Sequence, residues 1–488
     1  MKISLLYPKW TTDYGLVSHF AKKASVWPPL NLAYLAAVAE KDGHEVNIID
    51  GEVEKMSLDK MVEETSNLNP DIIGITATTP FYHIAVDLAR KLKEKTDIPI
   101  AIGGHHITVL RERAFDKAFD YAFIGEAEKS FPIFLKEYEK NKKVTNVPGM
   151  LYRNGDEIIS TGPTEIIQDL DSIPFPARHL LNYKNYYIGT LKGNKNFTTV
   201  MTMRGCPYKC IFCNTDVFGN KIRKRSPERV VEEIKEIKDK YGINHIIFLD
   251  DTFTVDKRHV MDLCDRIVKE DLKITFDCGT RANKIDEELV AKMVEAGMIR
   301  ISYGLETTDS NIRRIIKKEV PLESYDIANK LTNKYGVETL NSCMIGLPGE
   351  SEETVRKTLA YLRNSREIKQ ANISIAIPYP GTELYEMARR EENGLKLLTE
   401  DFSKYRRYNS AVMNVGNFTP QDLIDIQNEA FASIYLAPWR WKPMMKKSGI
   451  LGSFLTFTRL VKTIMKGKTR FITNKQLGIK DKNNKQRI

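Results

Sequence analysis

The sequence predicts an α/β chain. A doubly wound, Rossmann-like sheet comes first, a partial barrel of six βα units second, and a helical carboxy-terminal region last. Three observations predict it. Short β-branched or apolar runs alternate with amphipathic stretches over residues 1–140. The same alternation resumes over 196–390, after an irregular linker at 141–195. Residues 391–488 keep helical periodicity and show no clear strand pattern.

In the first region the strand runs are 3–7, 46–50, 72–76, 98–103 and 121–125, with helix-period stretches at 30–41, 58–66 and 84–95. Strands that alternate with helices build a parallel sheet, and ligands of such sheets bind beyond the strands' carboxyl ends. The Gly-rich turns there are Gly74-Ile-Thr-Ala-Thr-Thr-Pro80 and Gly103-Gly-His-His-Ile-Thr108. Glycine lets a backbone approach a large flat ligand. No Gly-x-Gly-x-x-Gly follows the first strand, which disfavours a dinucleotide site. Asn154-Gly155 between short apolar runs predicts a hairpin turn, and Ile173-Pro-Phe-Pro176 an extended connector. In the second region the strand runs are 198–203, 245–249, 273–276, 299–304, 339–345 and 373–377, separated by helices such as 227–241 and 352–362. Functional residues of a parallel barrel gather at the carboxyl ends of its strands.

With 488 residues, and roughly 150 per domain, the chain has room for about three domains. Hydrophobic residues make up 42% and charged residues 28%, enough for a packed core and too apolar for wholesale disorder. No run of apolar residues is long enough for a transmembrane helix. The apolar run at the start is too short for a signal peptide and reads as a strand. Six cysteines exclude a disulfide scaffold and suit a reducing, cytoplasmic compartment. The net charge of +10 is uneven: residues 430–488 hold fourteen Lys and Arg against one acid, Asp481, leaving −3 for the rest. A nucleic-acid binder with a basic surface throughout is not supported.

The strongest chemical signal is Cys206-Pro-Tyr-Lys-Cys210-Ile-Phe-Cys213, just after the first strand of the second region. Thiolates bind soft metals and iron–sulfur clusters. Structural zinc would need a fourth ligand, and no Cys or His lies close in sequence to supply it. Three ligands on a four-iron cluster leave one iron open. Cys264, Cys278 and Cys343 are isolated and show no second cluster spacing.

With these cysteines and the aromatic Phe212 before the last of them, the chain resembles the radical S-adenosylmethionine (SAM) superfamily. The resemblance implies a 4Fe-4S cluster on Cys206, Cys210 and Cys213 whose open iron chelates SAM, and reductive cleavage to a 5′-deoxyadenosyl radical. It also implies an electron donor such as flavodoxin or ferredoxin. Further segments match in order. Asp250 and Asp251 follow the second strand, where the family places polar groups near the methionine amine; either aspartate could instead cap the next helix. Arg281 is implied as a partner of the methionine carboxylate, or is a surface ion pair. Glu306, in Ser302-Tyr-Gly-Leu-Glu306, matches the ribose-binding glutamate. Gly346, in Ile345-Gly-Leu-Pro-Gly-Glu350, matches the adenine-side glycine motif, and Pro378-Tyr-Pro-Gly matches the sixth strand end of one large subfamily.

Trp27-Pro-Pro-Leu-Asn-Leu-Ala-Tyr-Leu-Ala-Ala37, Gly43-His-Glu-Val46 with Asp50, Gly103-Gly-His-His106 and Gly125-Glu-Ala-Glu128 resemble the amino-terminal domain of cobalamin-dependent radical enzymes. That implies cobalamin near Thr76, Thr78, Gly103 and Gly104, where His105 and His106 could contact it or simply hydrogen-bond the backbone. The Asp-x-His-x-x-Gly motif that gives cobalt a histidine is absent, so the resemblance implies a cobalamin with no histidine below it. A sheet that has lost cobalamin is the alternative.

The tail from Ala437-Pro-Trp-Arg-Trp-Lys-Pro443 onward carries apolar residues at helical spacing over 451–465, with Arg459, Lys462 and Lys466 between them. Basic amphipathic helices suit an anionic membrane surface; a helix packed on the barrel is the alternative. The sequence thus predicts an enzyme that methylates an unactivated carbon of a small-molecule or lipid substrate, cytoplasmic and peripheral on the inner membrane face. An oxidative or ring-forming reaction on a tetrapyrrole is the first rival. An iron–sulfur electron carrier or a cobalamin-binding regulator is the rival outside enzymology.

Overall fold

The computed structural model describes residues 1–10, 25–142, 144–188, 196–435, 437, 439 and 440. The basic amphipathic tail predicted from the sequence lies, from residue 441 onward, outside the described residues. The chain divides into two compact units. One comprises Met1–Tyr208, Asn214–Cys278 and Glu295–Gly297; the other comprises Lys209–Cys213, Gly279–Val294 and Met298–Ile488.

The first unit opens with β1 (Lys2–Tyr7), β2 (Ser25–Val26), α1 (Leu30–Lys41), β3 (Glu45–Asp50), α2 (Leu58–Leu68), β4 (Ile72–Thr76), α3 (Tyr82–Lys93), β5 (Ile100–Gly103), α4 (His105–Leu110), β6 (Tyr121–Phe123), α5 (Ser130–Asn141), β7 (Met150–Asn154) and β8 (Glu157–Ser160). Seven of these strands form one sheet in the order β3-β1-β4-β5-β6-β7-β8. The first five are parallel, and the chain reverses direction of travel between β1 and β4, which places a ligand crevice at their carboxyl ends. Burial explains the near-continuous apolar strands: Ile3, Leu5, Ile72, Ile73 and Ile100 are sealed between helices. α1 and α5 pack together, as do α2 and α3. Gly74 lies opposite Leu5, and a Cβ there would come within 2.8 Å of the Leu5 side chain, so the glycine makes room for the core.

The predicted hairpin at Asn154-Gly155 is present. β7 and β8 pair antiparallel and extend the first sheet through residue 160. The stretch from 141 therefore begins as sheet and becomes a connector only afterwards. Arg178 anchors that connector: it is 1% exposed and pairs with the fully buried Glu233, which also pairs with Arg225.

β9 (Tyr187–Ile188) pairs with β2. Then come β10 (Phe197–Val200), β11 (Met203–Arg204), β12 (Arg223–Lys224), α6 (Pro227–Tyr241), β13 (His245–Phe248), α7 (Lys257–Lys269) and β14 (Thr275–Thr280). β10, β13 and β14 are parallel neighbours. α6 shows why the sequence reading placed it well: Ser226 caps its start, Pro227 occupies the first turn, and Gly242 ends it at φ +64°.

The remaining elements are α8 (Glu287–Glu295), β15 (Met298–Glu306), α9 (Ser310–Ile315), α10 (Leu322–Lys334), β16 (Glu338–Ile345), α11 (Glu352–Asn364), β17 (Gln370–Ile375), α12 (Glu383–Arg389), β18 (Leu395–Leu397), β19 (Met413–Val415) and α13 (Pro420–Tyr435). β15, β16 and β17 are parallel neighbours in the second unit. In chain order β10, β13, β14, β15, β16 and β17 alternate with helices, as predicted, with the short β11 and β12 inserted after β10. The carboxy-terminal region departs from expectation. β18 and β19 form an antiparallel ribbon there before α13. Three-residue strands carry too few side chains to show a period of two.

Candidate functional site

The carboxyl ends of β1, β4, β5 and β6 open onto a cavity of about 510 Å³ in the first unit. Its wall is mainly apolar and aromatic. Thr76, Thr78, Gly103 and Gly104 all line it. The Thr76 hydroxyl accepts a hydrogen bond from the Asn31 amide at 2.9 Å, which ties β4 to α1. Gly104 has φ +104°, and a Cβ there would lie 2.5 Å from the Ala77 carbonyl oxygen. Only glycine fits that turn. Gly103 is different: no atom lies within 4 Å of where its Cβ would be, so its missing side chain leaves open space facing the cavity.

Two adjacent histidines part company at the start of α4. His105 lines the cavity. His106 is absent from the cavity wall; it is 2% exposed and packs its ring 4.3 Å from that of Tyr82. Consecutive helical residues point about 100° apart, so only one of the pair can face the ligand space. Burial pushes the His106 imidazole down to about 4 and lowers that of His105 as well.

The two aspartates after β13 also part. Asp250 accepts from the Thr202 and Met203 amides at 2.8 and 2.7 Å and from the Thr202 hydroxyl at 3.0 Å. Its carboxylate fixes the turn into β11. Burial raises it to about 7, against the pull of those hydrogen bonds. Asp251 lines the cavity together with Leu249, and burial raises its carboxyl.

β11 and β12 form a short antiparallel ribbon, with Met203 opposite Lys224 and Arg204 opposite Arg223. The cysteine segment is the loop that this ribbon closes. Gly205 turns into it at φ +94°, where a Cβ would strike the Lys221 backbone. The Cys206 amide donates to the Gly219 carbonyl at 3.3 Å, and its sulfur lies 3.9 Å from the Thr252 hydroxyl. Cys210 is buried, with the Arg281 guanidinium and the Lys317 carbonyl each 3.8 Å from its sulfur. Burial raises its thiol, while Lys318 and Arg281 pull it back down. Cys213 is exposed. Among the described residues no three His, Cys, Asp or Glu side chains converge to hold a single metal ion. In a 4Fe-4S cluster each thiolate binds its own iron, so the three sulfurs need not meet at one point.

In the second unit Arg281 stands at the end of β14, buried beside Cys210. Glu306 ends β15 at φ +61°, where the ladder to β16 slips by one residue. Its carboxylate meets the buried Lys318 ammonium at 2.7 Å. A side chain at Gly304 would collide with that ammonium, so the glycine two residues earlier makes the pairing possible. Tyr325 donates to the Gly304 carbonyl at 2.7 Å and holds the strand end. Lys318 is a residue the sequence reading missed; nothing in Lys317-Lys318-Glu319 marks one lysine as buried. Gly346 has φ +83°; Leu423 lies 3.3 Å from where its Cβ would be. Its amide and that of Leu347 donate to the buried Glu350 carboxylate, which burial raises to about 8.

Comparison with known proteins agrees with these features. Residues 200–362 match the model of the radical SAM superfamily, and residues 19–135 match that of the B12 binding domain. An uncharacterized methyltransferase of Pyrococcus horikoshii is 34% identical over 84% of this chain and 88% of its own length. The anaerobic magnesium-protoporphyrin IX monomethyl ester cyclase of Cereibacter sphaeroides is 27% identical over 93% of this chain and 75% of its own. The fold is that of the radical SAM methyltransferase TsrM from Kitasatospora setae, solved with cobalamin and a [4Fe-4S] cluster. The TM-score is 0.71 at 16% identity, over 89% of this chain and 88% of that one. These likenesses set aside the electron-carrier and regulator readings. The chain belongs to the cobalamin-dependent radical SAM enzymes, and its cofactors are a 4Fe-4S cluster, S-adenosylmethionine and cobalamin.

Proposed function

We propose that the enzyme methylates an unactivated carbon of a small, apolar substrate, of the lipid class. The observation that carries this reading is the shared cavity. Asp251 and Leu249, from the end of β13, line the same space as Thr76, Gly103 and Gly104, from the ends of β4 and β5. Carbon methylation by a radical route needs hydrogen abstraction and methyl delivery to act on one substrate, with water kept out. An apolar wall open to the strand ends of both sheets suits that need. The identity to a methyltransferase over most of the chain supports it further.

When bound, the cluster with SAM supplies hydrogen-atom abstraction and cobalamin supplies methyl delivery. The chain's own residues position these groups. Cys206, Cys210 and Cys213 are assigned as cluster ligands. Arg281 and Lys318 place positive charge around Cys210, which partly offsets the burial that raises its thiol. Glu306, held by Lys318, is assigned to accept from ribose hydroxyls, and Arg281 to meet the methionine carboxylate. Asp251, open to the cavity, is the better placed of the two aspartates for the methionine amine, because the oxygens of Asp250 are already engaged. Thr76, Thr78, Gly103 and Gly104 are assigned to cobalamin, with His105 rather than His106 beside them.

The electron comes from a flavodoxin- or ferredoxin-type donor in the cytoplasm. The basic tail is assigned to the inner membrane face as a peripheral contact, which would bring a lipid substrate to the barrel. No helix among the described residues is long and apolar enough to cross a membrane. Deleting residues 449–488 is expected to abolish sedimentation with anionic liposomes; unchanged sedimentation would sink the membrane assignment.

The decisive assay uses anaerobically reconstituted protein with cobalamin, reductant and an extract of the source cell. Mass spectrometry should find 5′-deoxyadenosine and S-adenosylhomocysteine rising in step, both lost in the Cys206→Ala variant. Deoxyadenosine without the homocysteine product would favour the ring-forming reading, which the likeness to the ester cyclase over 93% of the chain keeps as the second choice.

A further inference from the structure

Glu126 is the centre of a buried charge cluster that the proposed chemistry does not use. It stands just beyond β6, in Gly125-Glu-Ala-Glu128, and lines the cavity. Its carboxylate accepts from Arg204 at 3.1 Å, from both terminal nitrogens of Arg223 at 2.8 Å, and from the Ile167 amide at 2.9 Å. Glu128, also on the cavity wall, accepts from the other terminal nitrogen of Arg204 at 2.6 Å. The guanidinium of Arg204 lies 5.5 Å from the Tyr34 ring and 5.2 Å from the Phe218 ring, and all three residues line the cavity. The side chains of Glu126, Arg204 and Arg223 are each no more than 5% exposed. Arg204 and Arg223 face each other across the ribbon that closes the cysteine loop, and Arg204 lies two residues before Cys206.

One carboxylate from the cavity wall therefore grips both strands of the ribbon that carries the cysteines. A packed, bidentate arginine cluster has few arrangements, so a shift of the cavity wall moves the ribbon with it. We infer that Glu126 is a positioning residue that couples the cobalamin cavity to the cysteine loop, so that loading either site raises the affinity of the other. Such coupling is reciprocal by linkage. The inference rests on the cofactor assignments above and not on the choice between methylation and ring formation.

The test is a titration of full-length protein with hydroxocobalamin, followed by corrin absorbance, with the cluster reconstituted and after its removal by chelation. Wild type should bind cobalamin about fivefold or more tightly when the cluster is present. Glu126→Gln keeps the shape and removes the charge; its two dissociation constants should fall within about twofold of each other. Cobalamin should also change the electron paramagnetic resonance signal of the reduced cluster in wild type and leave it unchanged in the variant. Equal affinities in wild type, or an undiminished ratio in Glu126→Gln, would overturn the coupling alone. Failure of wild type to bind cobalamin in either state would overturn the cavity assignment together with it. Should Glu126→Gln not fold, Glu128→Gln and Arg204→Lys decide: an intermediate ratio sustains the coupling, and an unchanged ratio in both refutes it.

Discussion

The cavity of the first unit and the polar centre of the second are built on opposite principles. The cavity is defined by what is missing: glycines at 103 and 104, small strand-end residues and an apolar wall. The centre around Cys210, Arg281, Glu306 and Lys318 is defined by buried charge, held in place by the glycine at 304 and the kinked end of β15. The glycine turn of the first is sensitive to volume, and the centre of the second to charge.

Mutations should separate the two. The largest effect belongs to the cysteines. Replacing Cys206, Cys210 or Cys213 by alanine should reduce both cluster absorbance and deoxyadenosine formation to background, as read by iron and sulfide analysis beside product assay. Next comes Glu306→Gln, which strands the Lys318 charge in a buried site. A loss of about 3–5 kcal/mol is expected in denaturant unfolding. Adding Lys318→Met should restore most of it; a double variant as unstable as the single would show that the ion pair is not what Glu306 contributes to folding.

In the cavity, the glycines test volume. Gly104→Ala should cost about 1–3 kcal/mol, from the strained φ and the clash with Ala77. Gly103→Ala has space for its methyl and should leave stability within about 0.5 kcal/mol, while still weakening cobalamin binding. Calorimetric unfolding and a cobalamin titration on both variants would test the distinction. If both lose stability alike, the cavity is not shaped as described.

The remaining effect is a pH dependence. Glu350 is raised to about 8 in the folded protein. Between its ordinary range and pH 8 the native state therefore holds a proton that the unfolded chain has released. Its contribution to stability falls as pH rises through that window. Glu350→Gln keeps an oxygen for the Gly346 and Leu347 amides and cannot ionise. Its stability relative to wild type should grow from pH 5 to pH 8; a constant difference across that range would contradict the assignment.

The two sites were also unequally legible. The cysteine spacing is local, so it identified the chemistry before any fold was known. The strand runs predicted the order of elements in both sheets, because buried parallel strands are continuous apolar runs. The ribbon of β18 and β19 escaped because it is too short to show a period. The histidine pair was legible as a pair only. Which of His105 and His106 faces the cavity depends on how α4 is rotated against the sheet, and in that rotation His106 packs on Tyr82. The roles of Asp250 and Asp251 parted for a similar reason: the Thr202 turn engages one of them.

What the sequence determined by itself was the class of chemistry, the two α/β regions and the Gly-rich turn at Gly103-Gly104. These follow from local spacing. Tertiary structure alone decided which charges are buried together. Lys318 finds Glu306 across a loop, and Arg204 and Arg223 find Glu126 from far along the chain. A buried charge is tolerated only where a partner of opposite sign arrives from elsewhere in the fold. That partner leaves no mark in the residues next to it.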